Sequence, residues 1–116
     1  MSVVLVEDDH FLRIQIKKIL NGQLSCEFFL ASNGLEGLDL IRQYNPRVVI
    51  TDINMPVMNG LDLIKEIKPW FTGLIIAISA DNENLSKAKK NGADYVLEKG
   101  TPELIDGMIS ILQTRF

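Results

Sequence analysis

Acidic residues follow two of the short apolar runs in this 116-residue chain, and a serine and a lysine follow two others. Val3–Val6 leads into Glu7, Asp8 and Asp9, and Val48–Ile50 leads into Thr51 and Asp52. Leu74–Ile78 is followed by Ser79, and Tyr95–Leu97 is followed, after Glu98, by Lys99. One acid after a strand often does no more than cap the next helix, a use that suits Asp8 or Asp9. Acids after two strands and a lysine after a third need another reason. Carboxylates brought together repel, by on the order of 4 kcal/mol at 4 Å with an effective dielectric near 20. Such a cluster must hold extra protons or a cation. A hard cation with oxygen ligands fits, and Mg²⁺, bound by two carboxylates and several waters, fits best. Mn²⁺ prefers similar oxygen ligands and can take its place. Zinc is unsupported, because one cysteine and one histidine do not make a usual zinc site.

A carboxylate held against a divalent cation and a lysine is also a nucleophile toward phosphorus. Phosphoryl transfer requires neutralised charge on the equatorial oxygens and in-line positioning. Mg²⁺ and Lys99 would supply the neutralisation, and Ser79 would donate a hydrogen bond to a phosphoryl oxygen. The product would be an aspartyl phosphate on Asp52.

The elements that must position these groups alternate along the chain. The apolar runs, with a weaker one at Phe28–Ala31, lack polar alternation, as parallel strands covered on both faces do. Helical spacing fills the intervals. Leu12, Ile16, Ile19 and Leu20 fall on one face, with Arg13, Lys17 and Lys18 toward water and Gly22 as the terminator. Asn33 and Glu36 resemble a capping box ahead of Leu35, Leu38 and Ile41, and Pro46 blocks continuation. A third helix is expected over 61–68 and a fourth over 83–91, the latter with only Leu85 and Ala88 as core contacts before Gly92. Thr101 as N-cap and Pro102 at the first position open the last, which carries Leu104, Ile105, Met108, Ile109 and Leu112. Five strands alternating with five helices mean an α/β, doubly wound parallel sheet. Right-handed crossovers and the chain length favour the flavodoxin-like order 2-1-3-4-5. That order makes strands one and three neighbours at the switch point, where such folds bind ligands.

Composition agrees with one soluble domain over residues 1–116. Apolar residues make up 47% and charged residues 23%, ordinary values for a globular protein. The net charge of −3 argues against a dedicated nucleic-acid surface. Cys26 stands alone, which excludes a disulfide framework, suggests a reducing cytoplasm and suits a small buried hydrophobe. No run approaches the ~20 apolar residues of a membrane span, and the N-terminus lacks the pattern of a signal peptide.

The stretch Asp52-Ile53-Asn54-Met55-Pro56-Val57-Met58-Asn59-Gly60 resembles the D-x-x-M-P-x-M-x-G stretch of two-component response-regulator receiver domains. With Glu7-Asp8, Ser79-Ala80 and Gly92-Ala93-Asp94 ahead of Lys99, the resemblance covers essentially the whole chain. It implies a CheY-like (βα)5 fold and a cytoplasmic signalling switch rather than a turnover enzyme. It implies Asp52 as phospho-acceptor, with Asp8 and Asp52 binding Mg²⁺ directly, Glu7 acting through water and the Asn54 backbone carbonyl adding a ligand. Lys99 would pair with Asp52 or its phosphate, and Ser79 would move toward the phosphate. The implied donor is a phosphohistidine on a sensor histidine kinase or a histidine phosphotransfer protein. The implied response is a change in the surface of the fourth helix, fifth strand and fifth helix. The reader of that surface would be a downstream protein, an output domain or a second copy in a phosphorylation-dependent homodimer.

Three positions depart from the family pattern. Gly100 replaces the usual proline after the lysine, so glycine's freedom in φ must make the turn. Val96 stands at the aromatic switch position, with Tyr95 one place early and therefore on the opposite face. Val96 is expected to pack as plain core. Glu7 replaces the commoner aspartate but preserves an acidic pair. His10 beside the acids reads as an exposed first-turn residue, and Trp70-Phe71 as loop-anchoring aromatics or a partner patch. Asn54 and Asp81 fall where the family tunes hydrolysis, so a phosphoryl group lasting minutes rather than days is expected. Two rivals stand beside this reading. A phosphohydrolase with an aspartyl nucleophile would need a second aspartate where Asn54 is. A pseudo-receiver would use the same surface as an interaction module without phosphorylation. The receiver either stands alone or belongs to a longer regulator, one that binds DNA included.

Overall fold

The computed structural model describes residues 1–116. The elements are β1 (Ser2–Val6), α1 (His10–Gln23), β2 (Glu27–Ala31), α2 (Gly34–Tyr44) and β3 (Val48–Asp52), followed by α3 (Gly60–Ile67), β4 (Leu74–Ser79), α4 (Asn82–Asn91), β5 (Tyr95–Glu98) and α5 (Glu103–Arg115). The strands form one parallel sheet in the order β2-β1-β3-β4-β5. This is the architecture that the alternating runs imply.

Two apolar layers explain why the central strands carry no polar alternation. Val4, Val6, Val49, Ile75 and Ala77 meet Leu38, Ile41, Leu63, Ile67 and Ala88 of α2, α3 and α4. Val3, Leu5, Val48, Ile50, Ile76 and Ile78 meet Ile16, Leu20, Leu104, Met108 and Leu112 of α1 and α5. Every residue of β3 and β4 is buried. No helix is long and apolar enough to cross a membrane.

Local sequence decides most helix boundaries. Asp9, Asn33, Asn59 and Asp81 each accept a hydrogen bond from a backbone N–H two or three residues on, capping α1 to α4. As expected, α4 buries only Leu85 and Ala88.

Four details differ from the sequence reading. Gly22 lies inside α1 without a positive φ, and the helix ends where Leu24 N–H bonds the Leu20 carbonyl. Leu35 is exposed, because α2 turns Gly34, Gly37, Leu38 and Ile41 inward, and a Cβ on Gly37 would press on Val6. Arg13 does not face water alone, since its guanidinium donates to the Glu7 carbonyl at 2.6 Å. Thr101 does not cap α5, because its hydroxyl donates to the Glu98 carbonyl at 2.9 Å.

Candidate functional site

Register brings the polar groups together. β1 pairs with β3 through Val6 opposite Thr51, so Glu7 and Asp52 emerge side by side. β4 pairs with β5 through Ser79 opposite Glu98, and the Lys99 N–H bonds the Ser79 carbonyl at 2.9 Å. Asp52 pairs with Ile78, one residue before Ser79. Lys99 starts two strand spacings from Asp52, roughly 10 Å, and its four-carbon stem spans that gap.

The ammonium ends between two carboxylates, 2.7 Å from Glu7 Oε1 and 2.9 Å from Asp52 Oδ2. Glu7 is fully buried and Asp52 is 3% exposed. Asp52 Oδ1 accepts the Ile53 N–H at 2.8 Å, and Glu7 Oε2 accepts the Asp9 N–H at 3.0 Å. Burial pushes Glu7 up to about 7, against the pull of Lys99 and the Asp9 N–H, while the Asp52 charge adds to the rise. Burial likewise raises Asp52 in spite of Lys99. For Lys99 burial acts downward, but the contacts with Glu7 and Asp52 outweigh it and raise the ammonium above its ordinary value.

One lysine faces two buried acids, and an exposed third, Asp8, stands beside them. Glu7, Asp8 and Asp52 each place a carboxylate oxygen within 4.8 Å of the others. Glu7 Oε1 is buried with the Lys99 ammonium as its one close partner. Three clustered carboxylates sharing one ammonium are an under-neutralised set of hard oxygen donors, which fits a divalent cation of the Mg²⁺ type.

Of the remaining expected residues, Ser79, Asn54, His10 and Gly100 belong to the carboxyl edge of the sheet, and Tyr95, Trp70 and Phe71 do not. Ser79 is buried, and its Oγ accepts the Asp81 N–H at 3.1 Å, leaving the hydroxyl proton free to donate. Asn54 lies in the loop after β3, where its Oδ1 accepts a hydrogen bond from Asn84 Nδ2 at 3.2 Å. His10 opens α1, exposed, with Nδ1 3.0 Å from Arg13 Nη2. Asp9, not Asp8, does the capping that the sequence allowed for either. Gly100 makes the turn after Lys99 with φ +77° and no cis peptide. Val96 is only partly buried against the α2–α4 layer rather than plain core, because β5 is an edge strand, and Tyr95 packs against the α1–α5 layer. Phe71 is core, while Trp70 stays 42% exposed, edge-on to Phe71.

The roles of two contributors went unread in the sequence. Arg13 fixes the Glu7 backbone, one turn into α1. Gly60 has room for no side chain, because a Cβ would collide with the Asp52 carbonyl oxygen, and its N–H bonds Ile53 O at 2.8 Å. Its signal was its place as the closing glycine of the Asp52–Gly60 stretch. The largest cavity, about 600 Å³, is elsewhere, at the opposite end of the sheet beside Arg47, Lys68, Phe71 and Arg115.

Known proteins resemble this chain in sequence and fold. Residues 3–109 match the family model described as response regulator receiver domain. A chemotaxis protein CheY from Halobacterium salinarum is 31% identical, with 96% of each chain covered. An uncharacterized response regulatory protein from Staphylococcus epidermidis is 33% identical over 98% of this chain and 47% of its own length. The chain thus spans about half the length of that relative. Among solved structures, a LuxR-family DNA-binding response regulator from Staphylococcus aureus aligns with a TM-score of 0.87 at 29% identity, covering 97% of this chain and 96% of that one. The receiver domain of the Francisella response regulator 1452 aligns at 0.84 and 30% identity, covering 98% and 97%.

Proposed function

This chain belongs to the response regulator receiver family, and we propose that it is a phosphorylation switch whose acceptor is Asp52. The observation that carries the reading is the buried pair of carboxylates, Glu7 and Asp52, held by one Lys99 ammonium beside Asp8. A structural ion pair needs no third acid, whereas a phospho-acceptor needs both a cation site and a mobile counter-charge.

Asp8 and Asp52 would hold Mg²⁺, with Glu7 acting through water and the Asn54 carbonyl completing the protein ligands. When bound, the ion supplies charge neutralisation at the phosphoryl oxygens. An Asp52 carboxylate oxygen attacks the phosphorus of a phosphohistidine on a sensor kinase or phosphotransfer protein. The P–N bond breaks, its electron pair stays on the donor imidazole, and an aspartyl phosphate forms. Lys99 then transfers from the carboxylate to a phosphoryl oxygen, and the free Ser79 proton donates to another. The last two moves change what anchors β4 and β5 at this edge.

The response is a rearrangement of the α4–β5–α5 surface. The thin apolar anchoring of α4 supports this, since an element with few buried contacts repacks at low cost. With Val96 in place of an aromatic, movement passes through the Ser79 loop and the Asn54–Asn84 contact rather than through a flipping ring. The domain itself binds no nucleic acid and works in the cytoplasm through a downstream protein, an output domain or a second copy. DNA-binding relatives favour an output of that kind where the receiver is part of a longer regulator. Phosphoryl uptake at Asp52, with and without Mg²⁺, tests the reading. Hydrogen exchange across α4, β5 and α5 in the two forms tests the response.

A further inference from the structure

At the end of the sheet away from Asp52, a cavity of about 600 Å³ opens between the start of β3 and the ends of α3 and α5. Three cations line it, Arg47, Lys68 and Arg115, against one carboxylate, Asp94. That carboxylate is already engaged, because Asp94 Oδ2 accepts the Ile75 N–H at 2.8 Å. None of the three cations forms an ion pair, although Arg42, Lys87 and Lys99 all do. Their side-chain donors are nearly free of protein acceptors, the one contact being Arg115 Nη1 to the Tyr95 hydroxyl at 3.4 Å. In a chain of net charge −3, solubility does not call for unpaired positive charge gathered in one place.

Uncharged neighbours hold these cations. The Arg47 guanidinium lies over the Phe116 ring, 4.9 Å from its centroid. The Lys68 stem lies against Gly92, where a Cβ would collide with it. Gly73 also has no room for a Cβ, which lets the buried Phe71 ring and the Arg47 carbonyl close on each other in the cavity wall. The charges are thus placed without being neutralised.

We propose that this cavity is a binding site for a small phosphorylated anion, distinct from the phosphoryl acceptor. Two guanidinium groups and an ammonium, brought to one cavity by three elements, suit phosphate oxygens, which guanidinium binds in bidentate pairs. A cleft lined by one sign of charge focuses its field and draws in the opposite charge. The volume lies within the range of small-ligand sites and admits a mononucleotide. The Phe71 and Phe116 rings offer apolar surface to a base, and the otherwise polar lining disfavours an uncharged ligand.

The test is calorimetric titration of the full chain, without divalent ions, with ATP and with inorganic pyrophosphate. Trp70, the only tryptophan and edge-on to Phe71 at 6.5 Å, gives an optical readout of the same site. At least one ligand is expected to bind with a dissociation constant of about 1 mM or tighter, weakening as salt is raised. Arg47→Gln, Lys68→Gln and Arg115→Gln change exposed side chains and spare the core, so these variants are expected to fold. Each should weaken binding about three- to tenfold, as loss of one partly solvated charge-assisted hydrogen bond does. Lys17→Gln removes the same charge from the exposed face of α1 and should leave binding unaltered. Asp52→Ala should bind as wild type does, since the acceptor lies at the other end of the sheet. ATP bound more tightly than pyrophosphate would assign the Phe rings to the base, and equal affinities would confine recognition to the phosphates; both uphold the site. No binding of either ligand well above the stated concentration would overturn the proposal. So would a Lys17→Gln effect as large as those at the cavity, which would mark general attraction to basic side chains.

Discussion

Glu7 Oε1 and Lys99 Nζ lie 2.7 Å apart at the sheet edge, across β3 and β4. The contact explains how two buried acids coexist at this edge. Lys99 partly compensates both, and Glu7, pushed up to about 7 chiefly by burial, holds a proton for much of the physiological range.

Removing the ammonium should therefore spare the fold and damage the chemistry. Lys99→Met leaves Glu7 and Asp52 able to take up protons, so the variant is expected to fold. The rate of phosphoryl uptake from acetyl phosphate should fall by about 100-fold or more, the usual loss for a group that stabilises transition-state charge. Initial rates of mass gain measure this, and a rate within tenfold of wild type would remove Lys99 from its assigned role.

The titration of Glu7 predicts a pH dependence with a definite sign. Its ordinary value is 4.5 and its folded value about 7, so between these the folded chain keeps a proton that the unfolded chain releases. Stability without metal should then fall as pH rises through that window. Mg²⁺ competes with the same proton, so its affinity should be higher at pH 8 than at pH 6. Urea denaturation and calorimetric titration check the two halves. Mg²⁺ affinity that is flat across this range would contradict the account.

Val57 is 77% exposed with φ +70°, a left-handed conformation that a β-branched side chain occupies at a cost. Val57→Gly or Val57→Asn should stabilise the protein by about 1 kcal/mol. Urea denaturation reads the gain. No gain in either variant would mean that the surrounding loop offsets the strain.

Gly60 predicts the reverse. Gly60→Ala places a methyl group against the Asp52 carbonyl oxygen, with backbone on both sides. A loss of about 1–3 kcal/mol is expected, the usual cost of overpacking, together with slower phosphoryl uptake because Asp52 itself is displaced. Unchanged denaturation and uptake would show that the loop yields freely.

The sheet order and the convergence of Glu7, Asp8, Asp52, Ser79 and Lys99 were legible because both follow from periodic patterns. Unbroken apolar runs mark strands buried on both faces, and polar residues at their carboxyl ends must share one edge. The misread residues depend on three-dimensional closeness instead. Leu35 has the right spacing for a core stripe, but Gly34 and Gly37 let α2 approach Met58 and Val6 on the neighbouring face. Thr101 has the right type for a cap, yet the Glu98 carbonyl lies within reach and accepts its hydroxyl's hydrogen bond. Arg13 fits an exposed face until the open Glu7 carbonyl draws it back. The Asn54–Asn84 contact joins two loop-proximal amides with no periodic signal between them. Gly100 and Val96 were readable as departures; Gly100 makes the turn with its positive φ, and Val96 is partly buried on the edge strand.

The most direct measurement is intact mass after incubation with acetyl phosphate or phosphoramidate, with and without Mg²⁺, for wild type and Asp52→Ala. The account predicts a Mg²⁺-dependent gain of one phosphoryl group on wild type, decaying over minutes, and none on the variant. No gain on wild type, with Mg²⁺ binding confirmed separately, would contradict it and leave a pseudo-receiver acting as a constitutive interaction module.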